Sequence, residues 1–599
     1  MTIHTFVVAM VSLGTPFLGL SAMASVWTVG PDAKIYDFTT IQLAVDASVD
    51  GDTIELYGVE AVGSDYTEAV VINTLQVAIQ AAAGEDVEWS GGPHAALSLV
   101  DGVGQKVFVN DINFDADGAG PPARLGGGGL AIGGGIYVEG DVFLVVDGCT
   151  FEQGISTATY GVGIGVVSSN FGPEIQIDNC SFWYLDATST LLGDVARGAA
   201  IWQESGSLTV MDSLFQSCTA GYGGAIHLSD VGANIQRCEF MDNAADNRGG
   251  AIYLTNSTAV LSECWAMLNE ASGLFAKGGA IAGSNSDISL THCSFDFNRV
   301  TIEQGGGPLV NSGGASYYGG GAVWAGNGDS FSVNTCEFHG NEVVGVAEGN
   351  YVFGGALLAT AEAFEIQNST FSANRLLNTT SVGGGACFVR TDTSGGHLNA
   401  GSDIPWTTTL DGCTFVGNQS SVGGGLALLE GLGKTDWHFA SMSGCTFAGN
   451  SAMGSLYDFG NLDGYGILEG PGGGGLYING SSTIASIMTS TFDDNVAYKS
   501  GGGIFGSAGT GGLLSLANCS FTNNVCLGDS PLEGNGGGAA LIVNEPTIRS
   551  GGFEIFAAVT HCTFASNMSA VGGGLMVTTR DGHPIDIESS TFQYNRARF

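Results

Sequence analysis

Three residue types recur at positions where they could do chemistry. Cysteine heads a Cys-x-Phe-x-x-Asn pattern at Cys238, Phe240 and Asn243, at Cys293, Phe295 and Asn298, at Cys336, Phe338 and Asn341, and at Cys413, Phe415 and Asn418. The pattern returns at Cys445, Phe447 and Asn450, at Cys519, Phe521 and Asn524, and at Cys562, Phe564 and Asn567. Periodic thiols in an exported chain could build a disulfide framework. Carboxamides could act as ligands, and aromatic rings could carry sugars. The spacing favours a structural role instead. Side chains alternate along a strand, so Cys and Phe point inward while the Thr, Ser or Glu between them meets solvent. In-register Cβ atoms of neighbouring strands lie roughly 5 Å apart and point the same way, outside ordinary disulfide reach. Ser213, Ser369, Ser490 and Ser590 take the cysteine's place, so no bond is required there. Cys218, Cys387 and Cys526 fall outside the column and receive no assignment. The asparagines fit a stack that bonds along an axis and satisfies a corner.

Other catalytic constellations are sought in vain. Asp493-Asp494 is the one adjacent aspartate pair, and it lies inside a Phe-x-x-Asn copy, where Asp242 matches Asp494. Acid–base hydrolysis of a glycoside needs two carboxylates placed for that work, and this pair reads as repeat variation. His227, His292, His339 and His561 stand alone, without metal-ligand spacing. Arg237, Arg248, Arg299, Arg375 and Arg390 share no motif that would place a base. The expectation is no catalytic, cofactor-binding or metal residue. Surface Ca²⁺ on scattered carboxylates is a reading without a supporting loop motif. Composition narrows the partners further: 16 Lys+Arg against 58 Asp+Glu give a formal net charge of −42. That balance excludes nucleic acid and should repel a polyanionic substrate.

The elements that must position these residues follow from the repeat. Apolar pairs such as Ile175-x-Ile177, Leu208-x-Val210 and Phe331-x-Val333 precede each Cys/Ser by five and three residues. A separation of three breaks the strand period, so the chain turns there, at residues such as Asp178-Asn179. A third strand starts at Gly-Gly-Ala/Gly, as in Gly249-Gly250-Ala251-Ile252 and Gly423-Gly424-Gly425-Leu426. Three short strands per coil, stacked like on like, predict an all-β right-handed parallel β-helix with three parallel sheets and about fourteen or more coils. Insertions fall at two corners, as in 299–318, 451–471, 391–405, 430–440 and 541–556, and specific binding is expected on those loops.

The ends have their own patterns. Residues 1–24 read as a signal peptide, with an apolar run from Phe6 to Leu20 and an Ala22-Met23-Ala24 cleavage site. Residues 25–115 read as an N-terminal cap and first coils, with a short capping helix over Thr40 to Ala47, and 116–599 as the repeat domain. No cap pattern follows Asn595, so the domain reads as truncated at its C-terminus. No other apolar stretch is long enough to span a membrane.

The Gly-Gly-Ala-Ile/Leu and Phe-x-x-Asn motifs resemble the repeats of chlamydial polymorphic outer membrane proteins. More broadly they resemble bacterial pectin-lyase-like β-helix proteins, whose opening is similar to Thr40-Ile41-Gln42 through Gly51-Asp52-Thr53-Ile54. The resemblance covers nearly all of 28–599. It implies the β-helix fold and, in the chlamydial family, an adhesive passenger domain followed by a membrane barrel. A barrel segment is not expected within this sequence, so outer-membrane anchoring is not carried over from the resemblance. The resulting expectation is an exported, acidic, adhesin-like protein at the cell surface, associated with an outer membrane or released, that binds glycans or surface proteins and is not an enzyme. The alternative is a polysaccharide lyase or glycoside hydrolase of the pectin-lyase-like superfamily.

Overall fold

A computed structural model describes residues 24–598 apart from 59–64, 92–93, 117–133, 157–159, 168–171, 188–194, 304–317, 346–351, 378–383, 386, 392–405, 431–437, 454–471, 481–482, 509–512, 529–535, 545–556 and 580–584. The signal-peptide reading and most of the insertion loops lie outside the described residues.

One coil shows how the sequence becomes the cross-section. Gly223 and Gly224 lead into a glycine strand, Ile226–Ser229, and Asp230 turns the chain into an apolar-pair strand, Val231–Gln236. Arg237 turns it again into a phenylalanine strand, Glu239–Met241, and Asn243 starts a post-asparagine strand, Ala244–Arg248. Each strand pairs in parallel with its counterpart in the next coil: Ile226 with Ile252, Ile235 with Leu261, Phe240 with Ala266, Ala245 with Ala271. The glycine and apolar-pair strands merge into one 30-stranded sheet, and in places run on as single long strands such as Ile136–Asp147. The phenylalanine and post-asparagine strands form the opposing wall. The post-asparagine ladder is an addition to the three-strand coil expected from the repeat.

The corners are made by left-handed residues. The position before each Cys/Ser has positive φ whatever its type, including Asn179, Asp212, Arg237, Glu263, His292 and Thr335, at 49–55°. The conformation is costly for most of these residues, so the ladders on either side must impose it. At Gly249 the φ of 62° opens the glycine strand. Gly250 has a different reason: a Cβ there would collide with the carbonyl of Gly279 in the next coil.

The interior is one continuous core running from Val29 to Phe564. Its spine is a ring column from Trp89 and Phe114 through Phe151, Phe182, Phe215 and Phe240, then from Phe295 to Phe592. Successive phenylalanine rings stack at 4.6–5.0 Å. Ala266 interrupts the column. A helix, Ile41–Ala47, is capped by Thr40 and buries Ile41, Ala44 and Val45. Its first two backbone N–H groups, those of Ile41 and Gln42, donate to the Glu68 carboxylate.

Candidate ligand-binding seam

The residues singled out by spacing are consumed by the scaffold. Each motif asparagine of a central run is buried and four-fold bonded: Asn298 Nδ2 donates to the Ala266 carbonyl at 2.9 Å and to Asn341 Oδ1 at 3.0 Å. Its own Oδ1 accepts from the backbone N–H and Nδ2 of Asn269. The same pattern links Asn243, Asn269, Asn298, Asn341, Asn374, Asn418, Asn450, Asn495, Asn524, Asn567 and Asn595. The column cysteines are buried free thiols that donate to carbonyls, as Cys238 does to Gln236 at 3.2 Å. Burial raises the Cys218 thiol to about 12, far from the range of a reactive thiolate.

The cysteines left over by the sequence find places. Cys218 stands in the asparagine register: its N–H donates to Asn243 Oδ1, and its Sγ–H donates to the Phe182 carbonyl, as an asparagine would. Cys526 occupies the inward position of the post-asparagine strand, in register with Ala497, and Cys387 pairs with Leu357 and Leu426 in the glycine ladder.

Asp494, like Asp242, is a left-handed corner residue, and Asp493 lies on the phenylalanine strand in register with Ala448 and Thr522. No acid–base pair is formed by them. His292 and His561 are corner residues, and His339 bonds the Ser372 hydroxyl at 2.8 Å. Among the described residues no group of three His, Cys, Asp or Glu side chains is placed to hold a metal ion.

The basic residues correct the sequence reading most. They share no motif, yet stacking aligns them. Arg299 pairs in register with Glu270 and Glu342, and Glu342 with Arg375, giving a ladder of alternating charge with Arg299 Nε 3.4 Å from Glu342. Arg237 bonds Asp212 through two nitrogens, at 2.7 and 2.6 Å. Arg248 belongs to a third group. Backbone bridges join Tyr160 to Arg197, Arg197 to Tyr222, Tyr222 to Arg248 and Arg248 to Lys277. These five residues form one ladder at the corner before the glycine pair.

Beside them runs an outward-facing column at the second position of the glycine strand, where Trp202, His227 and Tyr253 are in register, followed by Ala282 and Trp324. Although they face away from the core, these side chains are buried, with Trp202 at 3%, His227 at 2%, Tyr253 at 6% and Trp324 at 6% exposure. The rings stack, Tyr160 on Trp202 at 4.8 Å and His227 on Tyr253 at 5.2 Å. The cations lie on them: Arg197 is 5.4 Å from the Tyr160 centroid, Arg248 is 5.8 Å from those of Tyr222 and Tyr253, and Lys277 is 4.0 Å from that of Trp324. Such contacts are worth about 0.5–2 kcal/mol each. Burial and the neighbouring Arg248 charge depress the Lys277 amine to about 7, and burial with Arg197 depresses His227 to about 3. His227 is therefore neutral at ordinary pH.

Residues 130–295 match the family described as the right-handed β-helix region. The fold is the right-handed parallel β-helix. Residues 489–507 match the Chlamydia polymorphic membrane protein repeat, so the resemblance carried by the Gly-Gly and Phe-x-x-Asn motifs has a counterpart in a family match. No curated protein matches the β-helix chain. Similar solved structures include tailspike protein 3 of bacteriophage CBA120, at 12% identity and a TM-score of 0.24, covering 90% of this chain and 56% of that one. They also include the Dettilon tailspike protein, at 9% identity and a TM-score of 0.22, covering 72% and 64%. The PL6 family alginate lyase AlyGC matches at 9% identity and a TM-score of 0.18, covering 95% and 100%. The chain thus spans less than two thirds of the length of either tailspike.

Proposed function

We propose that the protein is a surface-displayed or extracellular ligand-binding rod, with the β-helix as scaffold and binding rather than catalysis as its activity. One observation carries the reading. The thiols of the repeat donate to backbone carbonyls and its carboxamides bond the backbone and one another, whereas three cations, Arg197, Arg248 and Lys277, gather in the Tyr160–Lys277 seam. The match to a Chlamydia membrane-protein repeat supports a place at the cell surface. Among the described residues no helix is long and apolar enough to cross a membrane. In the sequence, the insertions 304–317, 346–351, 378–383, 454–471 and 529–535 precede glycine strands, and specific binding is expected on such insertions.

The test is a binding screen of the immobilised full chain against glycans and cell-surface proteins, run beside assays for new reducing ends and unsaturated uronates. Saturable binding without turnover is the expected result. Turnover abolished by a single Asp→Asn change would sink the reading in favour of a carbohydrate-active enzyme.

A further inference from the structure

Among the described residues of a chain with 58 acidic side chains, Asp52 is the one buried Asp or Glu, at 2% exposure. Its carboxylate gathers three N–H donors. Oδ1 accepts from the Ser25 backbone N–H at 2.7 Å, and Oδ2 accepts from Trp27 Nε1 at 3.0 Å and from the Val49 N–H at 2.9 Å. Burial pushes its pKa up, but the Val49, Ser25 and Trp27 donors outweigh burial and hold the carboxyl below the ordinary range. Asp52 is therefore ionised at neutral pH. Among the described residues no Lys, Arg or His side chain pairs with it. A buried carboxylate held by neutral donors alone lacks the counter-charge that such groups usually have.

The missing charge has a source in the sequence. A cut after Ala22-Met23-Ala24 makes Ser25 the first residue of the exported chain and turns its backbone N–H into an α-ammonium. The surroundings suit such a cut. Ala24 is exposed, so its removal takes away no core packing, while Ser25 is half-buried. From Ser25 onward the chain is docked. The Ser25 carbonyl accepts from the Thr53 N–H at 2.9 Å, and Val26–Val29 pairs in register with Thr53–Leu56. The cleavage motif and the buried carboxylate are independent features, and they meet at one nitrogen.

We propose that a processing peptidase hydrolyses the Ala24–Ser25 bond and that the ammonium so formed pairs with Asp52, locking the first strand in place. Water gives its hydroxyl to the Ala24 carbonyl carbon and a proton to the Ser25 nitrogen. The new acid then loses a proton and the amine takes one up, leaving a carboxylate and an ammonium. A hydrogen bond between two charged groups is about twice as strong as a neutral one. Asp52 also holds Val49, just past the capping helix, so the pair ties the first strand, the helix exit and the strand Asp52–Leu56 together. The N-terminal cap of the rod is thus completed by processing, whatever ligand the rod binds.

The experiment begins with N-terminal sequencing of the chain exported through its own leader. Ser25 is the expected first residue, and any other would overturn the proposal. Hydrogen exchange then compares a chain beginning at Ser25, the same chain acetylated on its α-amine, and a chain beginning at Ala22. The Thr53 N–H and the amides of Val26–Val29 should exchange at least about tenfold more slowly with the free Ser25 amine than in the other two. Asp52→Asn should speed exchange in the Ser25 chain and abolish the difference among the three. Equal exchange in the three chains, with Asp52→Asn affecting all of them alike, would make Asp52 a mere acceptor of amide N–H groups and overturn the ion pair. The acetylated chain changes no residue, so that comparison decides the matter even where Asp52→Asn loosens the whole first coil. Exchange in the distant strand Glu239–Met241 should be the same throughout, and an equal change there would overturn a local lock.

Discussion

The Asn418 amide has all of its bonding capacity in use. Its Nδ2 donates to the Phe371 carbonyl at 2.9 Å and to Asn450 Oδ1 at 3.0 Å, while its Oδ1 accepts from the Asn374 backbone N–H and Nδ2, both at 3.0 Å. Asn418→Ala strands those partners in a dry interior, and chemical denaturation should show a loss of about 3–5 kcal/mol. Lys277 makes the opposite kind of prediction. Its folded-state pKa of about 7 lies below the ordinary 10.5. Below about pH 7 both states hold the proton, and the cost of burying it is fully present. Between those values the unfolded chain binds more protons than the folded one, so this residue's contribution makes stability rise with pH. Lys277→Met should remove that rise, read as the wild-type-minus-variant difference in denaturation midpoint across pH 6 to 10. The inward roles of Phe and Asn were legible because strand alternation and fixed spacing encode them. The seam was not: Arg197, Arg248 and Lys277 are 51 and 29 positions apart in the chain, and only the coil register, altered by every insertion, brings them into one row.

Among the elements, the glycine strand offers a sharp contrast between adjacent positions. Gly250 packs against the Gly279 carbonyl, whereas the neighbouring Ala251 has glycine as its counterpart in other coils, as at Gly425. Gly250→Ala should therefore lower the melting temperature markedly. Ala251→Gly should cost only about 1 kcal/mol, the usual price of a glycine for an alanine. The phenylalanine strand carries the converse case, a gap where Ala266 stands between Phe240 and Phe295. Ala266→Phe should complete the stack and raise the melting temperature, by an amount equivalent to about 1 kcal/mol; a fall would mean that the neighbours have already closed over the space. The apolar-pair and phenylalanine strands could be read from the sequence because the offset between them is fixed, and the glycine strand because Gly-Gly-Ala/Gly marks its start. The post-asparagine strand could not. It is as short as Ser451–Ala452, its inward residue varies from Ala271 to Val300 to Leu376, and insertions of unequal length follow it.

At the scale of the whole molecule, fold and function differ in how they are written. The fold is stated many times over, so degenerate copies such as Phe-x-x-Cys at Phe215 and Cys218 still take their place in the ladder. The seam is written once, in residues that no repeat predicts. The direction of the asparagine ladder has a mechanical consequence. Its hydrogen bonds lie along the rod while the covalent chain runs around it, so tension applied between the ends loads the bonds between one pair of coils at a time. The rod should peel in steps rather than snap. Coil-to-coil separations of 26 residues at Asn243–Asn269 and 45 at Asn450–Asn495 would release roughly 90 and 160 Å of extended chain. A single-molecule force trace should thus be a sawtooth of unequal teeth whose lengths report the insertions coil by coil, and a single all-or-none rupture would contradict it.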